Sequence, residues 1–357
     1  MVQMTAIRHD IVGIFSAISL PGLIPWHSVG QSMIAAGMAF GCCILLGPAA
    51  IRILRSSFRE RIASDSARLN ELHASKQQTP TMGGLLILLS FTAGVLPHLD
   101  FSKLFGWILM ISTWSLVGVG ATDDWIKLRT SRKGLTVRQK LLAQIVIAFV
   151  TAVGLNQLRS PVLLSTTLLS WLPESTGWLF IPWAMFVIVA TSNAVNLTDG
   201  LDGLASGCTV MSALTMTVLV ILISGSQPGN VPSREAMAGF AALCGAVLGF
   251  LWFNRHPAKV FMGDAGSLPI GGMLAVLSLA CQMELLLLLT AAVFVAETLS
   301  VMLQVGWYRR TGRRILLCSP LHNHFVFKGI PEPRIVRGFW AATGFFCMTA
   351  VFLVWFL

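Results

Sequence analysis

The feature that most constrains this chain is a series of ten apolar stretches, most of them about as long as a membrane-spanning helix. A helix needs about 20 predominantly apolar residues to cross the hydrocarbon core of a bilayer. Only 11% of the 357 residues are charged and the mean hydropathy is +0.76, whereas a soluble domain carries about 25% charged residues. The sequence therefore predicts an all-α, polytopic transmembrane helix bundle. It excludes a compact soluble enzyme, a disordered chain and a nucleic-acid-binding protein.

The apolar stretches define one integral-membrane domain over residues 1–357, in which residues 1–30 form an interfacial N-terminal segment without a cleavable signal. The second and eighth stretches are short, and the turn at 282–284 is very tight. The predicted spans are 32–54, 82–96, 104–122, 141–158, 178–196, 206–224, 236–253, 268–281, 285–307 and 338–357.

The distribution of positive charge predicts the orientation of the bundle. Ten spans place both termini on one side, and the five connecting segments on the other side hold 21 of the 25 Lys and Arg residues. Because Lys and Arg accumulate in cytoplasmic loops, we expect those five segments to be cytoplasmic and both termini to be extracytoplasmic.

The seven cysteines are scattered, mostly within apolar runs, and form no CxxC pair. They are typical of small apolar packing residues. Cys318 lies near His322 and His324, but no complete four-ligand set has zinc-like spacing, so a zinc site is disfavoured.

Five aspartates at the predicted cytoplasmic ends of spans are the strongest functional signal, because ionisable groups at that depth are costly. Asp123 and Asp124 are adjacent, so they repel each other unless a cation neutralises them. If the helix continues, Lys127 faces the same side. The alternative is a solvated helix end with an internal ion pair.

A second acidic stretch places an oxygen-bearing side chain at every third residue from 193 to 202, namely Asn193, Asn196, Asp199 and Asp202. This spacing aligns them on one helical face or in a glycine-broken turn. Hard cations such as Mg²⁺ prefer oxygen ligands. The stretch therefore favours a Mg²⁺ and phosphate site over an ordinary Asx-rich turn.

Three further segments carry polar groups suited to phosphate. In 253–267, Gly263 and Gly266 allow close approach of backbone to a ligand, and Asp264 adds a hard oxygen ligand. In the most basic loop, His322 and His324 suit contact with an anionic nucleotide. The glycine pair at 83–84 exposes backbone donors at a helix start, although it is also an ordinary helix boundary.

In order along the chain, these segments resemble the phospho-N-acetylmuramoyl-pentapeptide-transferase (MraY) family, within the polyprenyl-phosphate N-acetylhexosamine-1-phosphate transferases. The resemblance spans about 76–340. The matching stretches are TPTMGG (79–84), DDWIK (123–127), GLTVRQK (134–140), NAVNLTDGLDGLA (193–205), FNRHPAKVFMGDAGS (253–267), ETLSVMLQV (297–305) and SPLHNHFVFKGIPEPRIV (319–336).

The resemblance implies ten spans and a cytoplasmic active site in the bacterial inner membrane. It also implies a homodimer that depends on Mg²⁺, with Mn²⁺ as a substitute. The implied reaction transfers phospho-MurNAc-pentapeptide from UDP-MurNAc-pentapeptide to undecaprenyl phosphate, giving lipid I and UMP. Whether the attack is direct or passes through a phosphoryl-Asp199 intermediate stays open, and direct attack is favoured.

The resemblance also implies roles for individual residues. The catalytic residues would be Asp123, which we expect to act as the base, with Asp124, Asp199, Asp264 and His322. The metal ligands would be Asp264, Asp199 and Asp123. The substrate-binding residues would be Lys76, Thr81, Lys127, Lys140, Asn193, Asn196, Asp202, Asn254 and His324.

Two residues depart from the family pattern. Asn323 stands where the family usually has the middle of three histidines, and Gln78 stands where it usually has glycine. Two other functions remain open at this stage. One is a sister transferase that uses UDP-GlcNAc, and the other is a cation- or proton-coupled transporter.

Overall fold

The structure is a computed structural model that describes residues 26–57, 76, 79–130, 134–158, 174–224 and 231–356. Most of the predicted interfacial segment over residues 1–30 lies outside the described residues, as does Gln78.

Within these ranges the chain forms a bundle of α-helices, joined by short turns and two 3₁₀ segments. The helices are α1 (Trp26–Ser57), α2 (Gly84–Val95), α3 (Leu104–Arg129), α4 (Val137–Asn156), α5 (Phe180–Thr198), α6 (Leu204–Ser224), α7 (Val231–Asn254), α8 (Asp264–Ala280), α9 (Glu284–Thr290), α10 (Ala292–Thr311), α11 (Leu321–Phe327) and α12 (Glu332–Phe356).

The predicted all-helical membrane fold is confirmed, and each of the ten predicted spans falls on helix. Seven of the described helices are long and apolar enough to cross a membrane, whereas α2 and α8 are shorter. The predicted ninth span, 285–307, falls on two helices, because α9 and α10 meet at a 78° bend around Ala291. The count of ten and the side of the termini stay predictions.

The short helix α8 is the centre of the bundle, and every residue from Ala265 to Leu279 is buried. It packs closely against α2, α3 and α5. Glycines make these contacts close: a Cβ at Gly84 would collide with the main chain of Gly266, and one at Gly120 with that of Asp264. Small residues at interfaces let membrane helices approach each other. The glycine contacts therefore bring the start of α8 against α3.

The cysteines act as the sequence predicts. None of the seven forms a disulfide in the part of the chain that the structure describes, and five of them are buried.

Candidate active site

Three carboxylates from two helices meet at one end of the bundle. Asp123 and Asp124 lie near the end of α3, and Asp264 is the first residue of α8. Their nearest oxygens all lie within 4.8 Å of one another. We call this group the carboxylate cluster. Asp123 and Asp124 are only 3% and 4% exposed, so charge on them needs a compensating cation.

Two lysines supply part of that compensation. Because α3 continues to Arg129, Lys127 does face the aspartates, with its Nζ 2.6 Å from Asp123 Oδ2 and 3.0 Å from Asp264 Oδ2. Lys140 Nζ lies 2.6 Å from the same Asp264 oxygen. Lys140 sits in the first turn of α4, which begins with a capping box at Thr136.

Backbone contacts fix the two helices at the cluster. The carboxylate of Asp124 accepts hydrogen bonds from the backbone N–H groups of Asp264 (3.2 Å) and Ala265 (3.0 Å), so it caps α8 from another helix. Gly263 precedes α8 with φ +71°, and a Cβ there would press against Asp124 and Thr81. Asp124 and Thr81 therefore line the turn that places Asp264.

The side chains of the stretch 193–202, which recur at every third residue, lie in two different places in the structure. Asn193 and Asn196 lie on α5, which ends at Thr198, whereas Asp199 and Asp202 lie in the following turn. Asn196 donates to Asp264 Oδ1 at 2.7 Å and thus joins the carboxylate cluster.

The other members of that stretch lie elsewhere. Asn193 donates to Gln144 Oε1 at 2.9 Å and to the Val189 carbonyl. Asp199 is half-buried and is not a member of the metal-compatible groups found among the described residues. Its predicted role as a ligand stays a prediction.

Lys76 and Asp202, both predicted to bind substrate, belong to a second group of charges. Lys76 Nζ lies 2.7 Å from Asp202 Oδ1 and 2.7 Å from Glu332 Oε1, while His256 Nδ1 lies 3.0 Å from Asp202 Oδ2. We call this the Asp202 cluster. It joins the segment before α2, the turn after α5, the loop after α7 and the start of α12. Sequence reasoning missed Glu332 and His256, because their distance along the chain from Asp202 carries no spacing signal.

Asn254, predicted to contact the nucleotide, is only 3% exposed and bonds to protein atoms. Its Oδ1 accepts from Gly203 N at 3.1 Å and Ser206 Oγ at 2.7 Å, and its Nδ2 donates to the Val260 carbonyl at 3.0 Å. In this structure Asn254 holds the turn that carries Asp202.

The histidine segment forms α11. His322 is 2% exposed and contacts Glu297, a buried acid that the sequence reasoning did not single out as a site residue. His324 accepts a hydrogen bond at Nδ1 from Leu317 N. The pKa of His324 lies below its usual range, because desolvation and the nearby Lys328 charge disfavour the protonated ring.

The carboxylate cluster has the composition of a site for a cation and phosphate. Its oxygens are ligands that Mg²⁺ prefers, and Lys127 and Lys140 can neutralise phosphate oxygens.

Comparison with known proteins agrees with this chemistry. The model of glycosyl transferase family 4 matches residues 106–282, and signature 1 of the phospho-N-acetylmuramoyl-pentapeptide-transferases matches 76–88. The protein of that name from Oleidesulfovibrio alaskensis is 42% identical over 318 residues, covering 86% of this chain and 88% of the relative. The one from Granulibacter bethesdensis is 39% identical over 347 residues, covering 94% of each chain. The chain therefore belongs to the phospho-N-acetylmuramoyl-pentapeptide-transferase family.

Proposed function

We propose that the chain transfers phospho-MurNAc-pentapeptide from UDP-MurNAc-pentapeptide to undecaprenyl phosphate, releasing UMP and forming lipid I for peptidoglycan synthesis. The observation that carries the proposal is the carboxylate cluster, in which three aspartates and two lysines from three helices converge at one end of the bundle. The activity for which the relatives are named supports the identity of the donor.

The chemistry of the carboxylate cluster fits Mg²⁺, with Mn²⁺ as a substitute. Three ionised carboxylates and two ammonium groups give the site a net charge of −1. A bound divalent cation would change this net charge to +1, which favours binding of an anionic pyrophosphate. Asp123 and Asp264 would hold the ion together with the predicted ligand Asp199, whereas both oxygens of Asp124 already accept backbone hydrogen bonds. When bound, the ion supplies charge stabilisation to the transferring phosphoryl group.

The protein's own groups would reduce the repulsion between two phosphates. Lys127 and Lys140 would bind oxygens of the donor pyrophosphate and hold the group in line with the attacking lipid phosphate. Asp123 would accept a proton from that phosphate. The attacking oxygen then displaces UMP from the β-phosphorus directly, without a phosphoryl-Asp199 intermediate.

The distribution of Lys and Arg supports a location of the carboxylate cluster at the cytoplasmic face of the bacterial inner membrane. There the water-soluble nucleotide donor reaches the site from the cytoplasm, and the lipid phosphate reaches it from the bilayer. The predicted homodimer is part of this proposal.

The test is a choice between donors. Purified protein with undecaprenyl phosphate and Mg²⁺ receives either UDP-MurNAc-pentapeptide or UDP-GlcNAc, and the release of UMP is measured. We expect release with the first donor only. Release with UDP-GlcNAc alone would identify the sister activity, and ion flux in proteoliposomes without UMP release from either donor would indicate a transporter.

A further inference from the structure

A buried acid–histidine pair lies outside the carboxylate cluster. Glu297 on α10 is fully buried, and His322 on α11 is 2% exposed. Among the described residues, Glu297 forms an ion pair with His322. A buried carboxylate is costly unless it is paired and hydrogen-bonded, so this contact is a specific feature of the fold.

The carboxylate of Glu297 accepts a hydrogen bond from the backbone of His322 and lies beside its ring. Oε1 accepts from the His322 backbone N–H at 3.1 Å, and Oε2 lies 3.2 Å from the ring Nδ1. That nitrogen makes no well-aligned hydrogen bond to any described residue, and the Glu297 carboxylate at 3.2 Å is its ion-pair partner. An ionised carboxylate only accepts hydrogen bonds. The contact therefore favours the tautomer that carries its proton on Nδ1.

The other ring nitrogen of His322 faces the turn that follows α5. A Cβ at Gly200 would collide with Nε2 of His322, so only glycine leaves room for the ring. Gly200 directly follows Asp199, a predicted site residue. The imidazole is thus confined between Glu297 on one side and this turn on the other.

A second residue of α10 fixes the loop that leads into the histidine segment. Two helical turns after Glu297, Gln304 accepts at Oε1 from Ile315 N (3.0 Å) and Leu316 N (2.9 Å) and donates to the Leu316 carbonyl (3.1 Å). One buried side of α10 therefore anchors both the loop and His322.

We propose that Glu297 is a positioning residue that sets the tautomer and orientation of His322, leaving Nε2 as the nitrogen that meets the substrate beside Asp199. The inference rests on the proposed function, in which His322 contacts the substrate. The physical basis is general: the bond made by one ring nitrogen of histidine determines the state of the other, as in the Asp–His pair of serine proteases.

The variant Glu297→Gln tests the proposal with little change in shape. The amide oxygen still accepts from the His322 backbone, whereas the amide N–H₂ would donate to Nδ1 and favour the opposite tautomer. We expect kcat for lipid I formation to fall by at least about tenfold, which is the lower end of the loss seen when the hydrogen-bond partner of a metal-binding histidine is removed. Glu235→Gln is the matched control, since Glu235 is a buried acid near the start of α7, away from the site.

A double-variant cycle separates positioning from a merely structural role. In the His322→Ala background, Glu297→Gln should cause no further loss, because the group through which Glu297 acts is absent. Thermal unfolding of each purified variant provides the folded fraction to which activity is normalised.

Activity of Glu297→Gln within about twofold of the parent would overturn the proposal. So would losses that multiply in the double variant, since Glu297 would then act independently of His322. If the parent and the Glu235→Gln control also form no lipid I, the proposed function itself fails, and the inference that rests on it fails too.

Discussion

Replacing Asp264 by Asn removes one charge from the centre of the carboxylate cluster while preserving shape. Asp264 Oδ2 lies 2.6 Å from Lys140 Nζ, and Oδ1 accepts from Asn196 at 2.7 Å. At an effective dielectric constant of about 20, the Lys140 pair alone has a gross Coulomb energy of about 6 kcal/mol. Desolvation offsets part of this, and removing one partner of a buried ion pair costs about 3–5 kcal/mol of folding stability.

Removing one preorganised electrostatic contact to a transition state costs about 3 kcal/mol, which corresponds to a rate reduction of roughly 150-fold. We therefore expect Asp264→Asn to lower kcat for UMP release by at least about 100-fold, while the protein remains extractable in detergent. The assay uses saturating UDP-MurNAc-pentapeptide and undecaprenyl phosphate, with activity normalised to the folded fraction.

The matched control is Asp100→Asn, an identical change at a half-exposed acid in the loop before α3, which bonds to Ser102 and Lys103. This control should retain parental turnover. If Asp264→Asn turns over within about threefold of the parent, a difference of roughly 0.7 kcal/mol, the central role of Asp264 is refuted.

Three further predictions follow from the same geometry. Excess EDTA should abolish UMP release and added Mg²⁺ or Mn²⁺ should restore it, so full turnover in EDTA would contradict the metal assignment. His322→Ala should lose most of the lipid I formation, whereas Asn323→His should leave the rate nearly unchanged between about pH 6 and 9. A many-fold gain in rate with a new pH dependence in Asn323→His would show that Asn323 is not equivalent to histidine as a substrate contact. Gly84→Ala should destabilise the protein by about 1–3 kcal/mol, because its Cβ would collide with the backbone of Gly266. Gly118→Ala, which meets no atom within 4 Å, should not lower the unfolding temperature.

The helices and the individual members of the carboxylate cluster were predictable from the sequence because their signals are local, whereas the meeting of Asp123 with Asp264 was implied only by the family resemblance. Apolar runs specify helices, and the spacing of Asp123 and Lys127 puts both on one face of α3. The start of α8 was predictable as a site because Gly263 and Asp264 occur together in one short polar stretch.

The parts that could not be predicted depend on contacts between distant segments. The period of three from 193 to 202 did not decide between one helical face and a glycine-broken turn, and it gave no sign that Asp202 contacts Lys76 and Glu332. Similarly, Glu297 lies within an apolar run, and its contact with His322 joins two separate helices and has no spacing signal in the sequence.

The central claim is that the chain moves a phosphosugar, rather than a sugar alone, onto a lipid phosphate. The most direct measurement uses UDP-MurNAc-pentapeptide labelled at the β-phosphate, incubated with purified protein, Mg²⁺ and undecaprenyl phosphate, followed by separation of lipid from nucleotide. The account predicts that the label moves into the lipid product in equal amount to the unlabelled UMP released, and that both depend on Asp264. Label retained in a released nucleoside diphosphate while the lipid gains only sugar would contradict it.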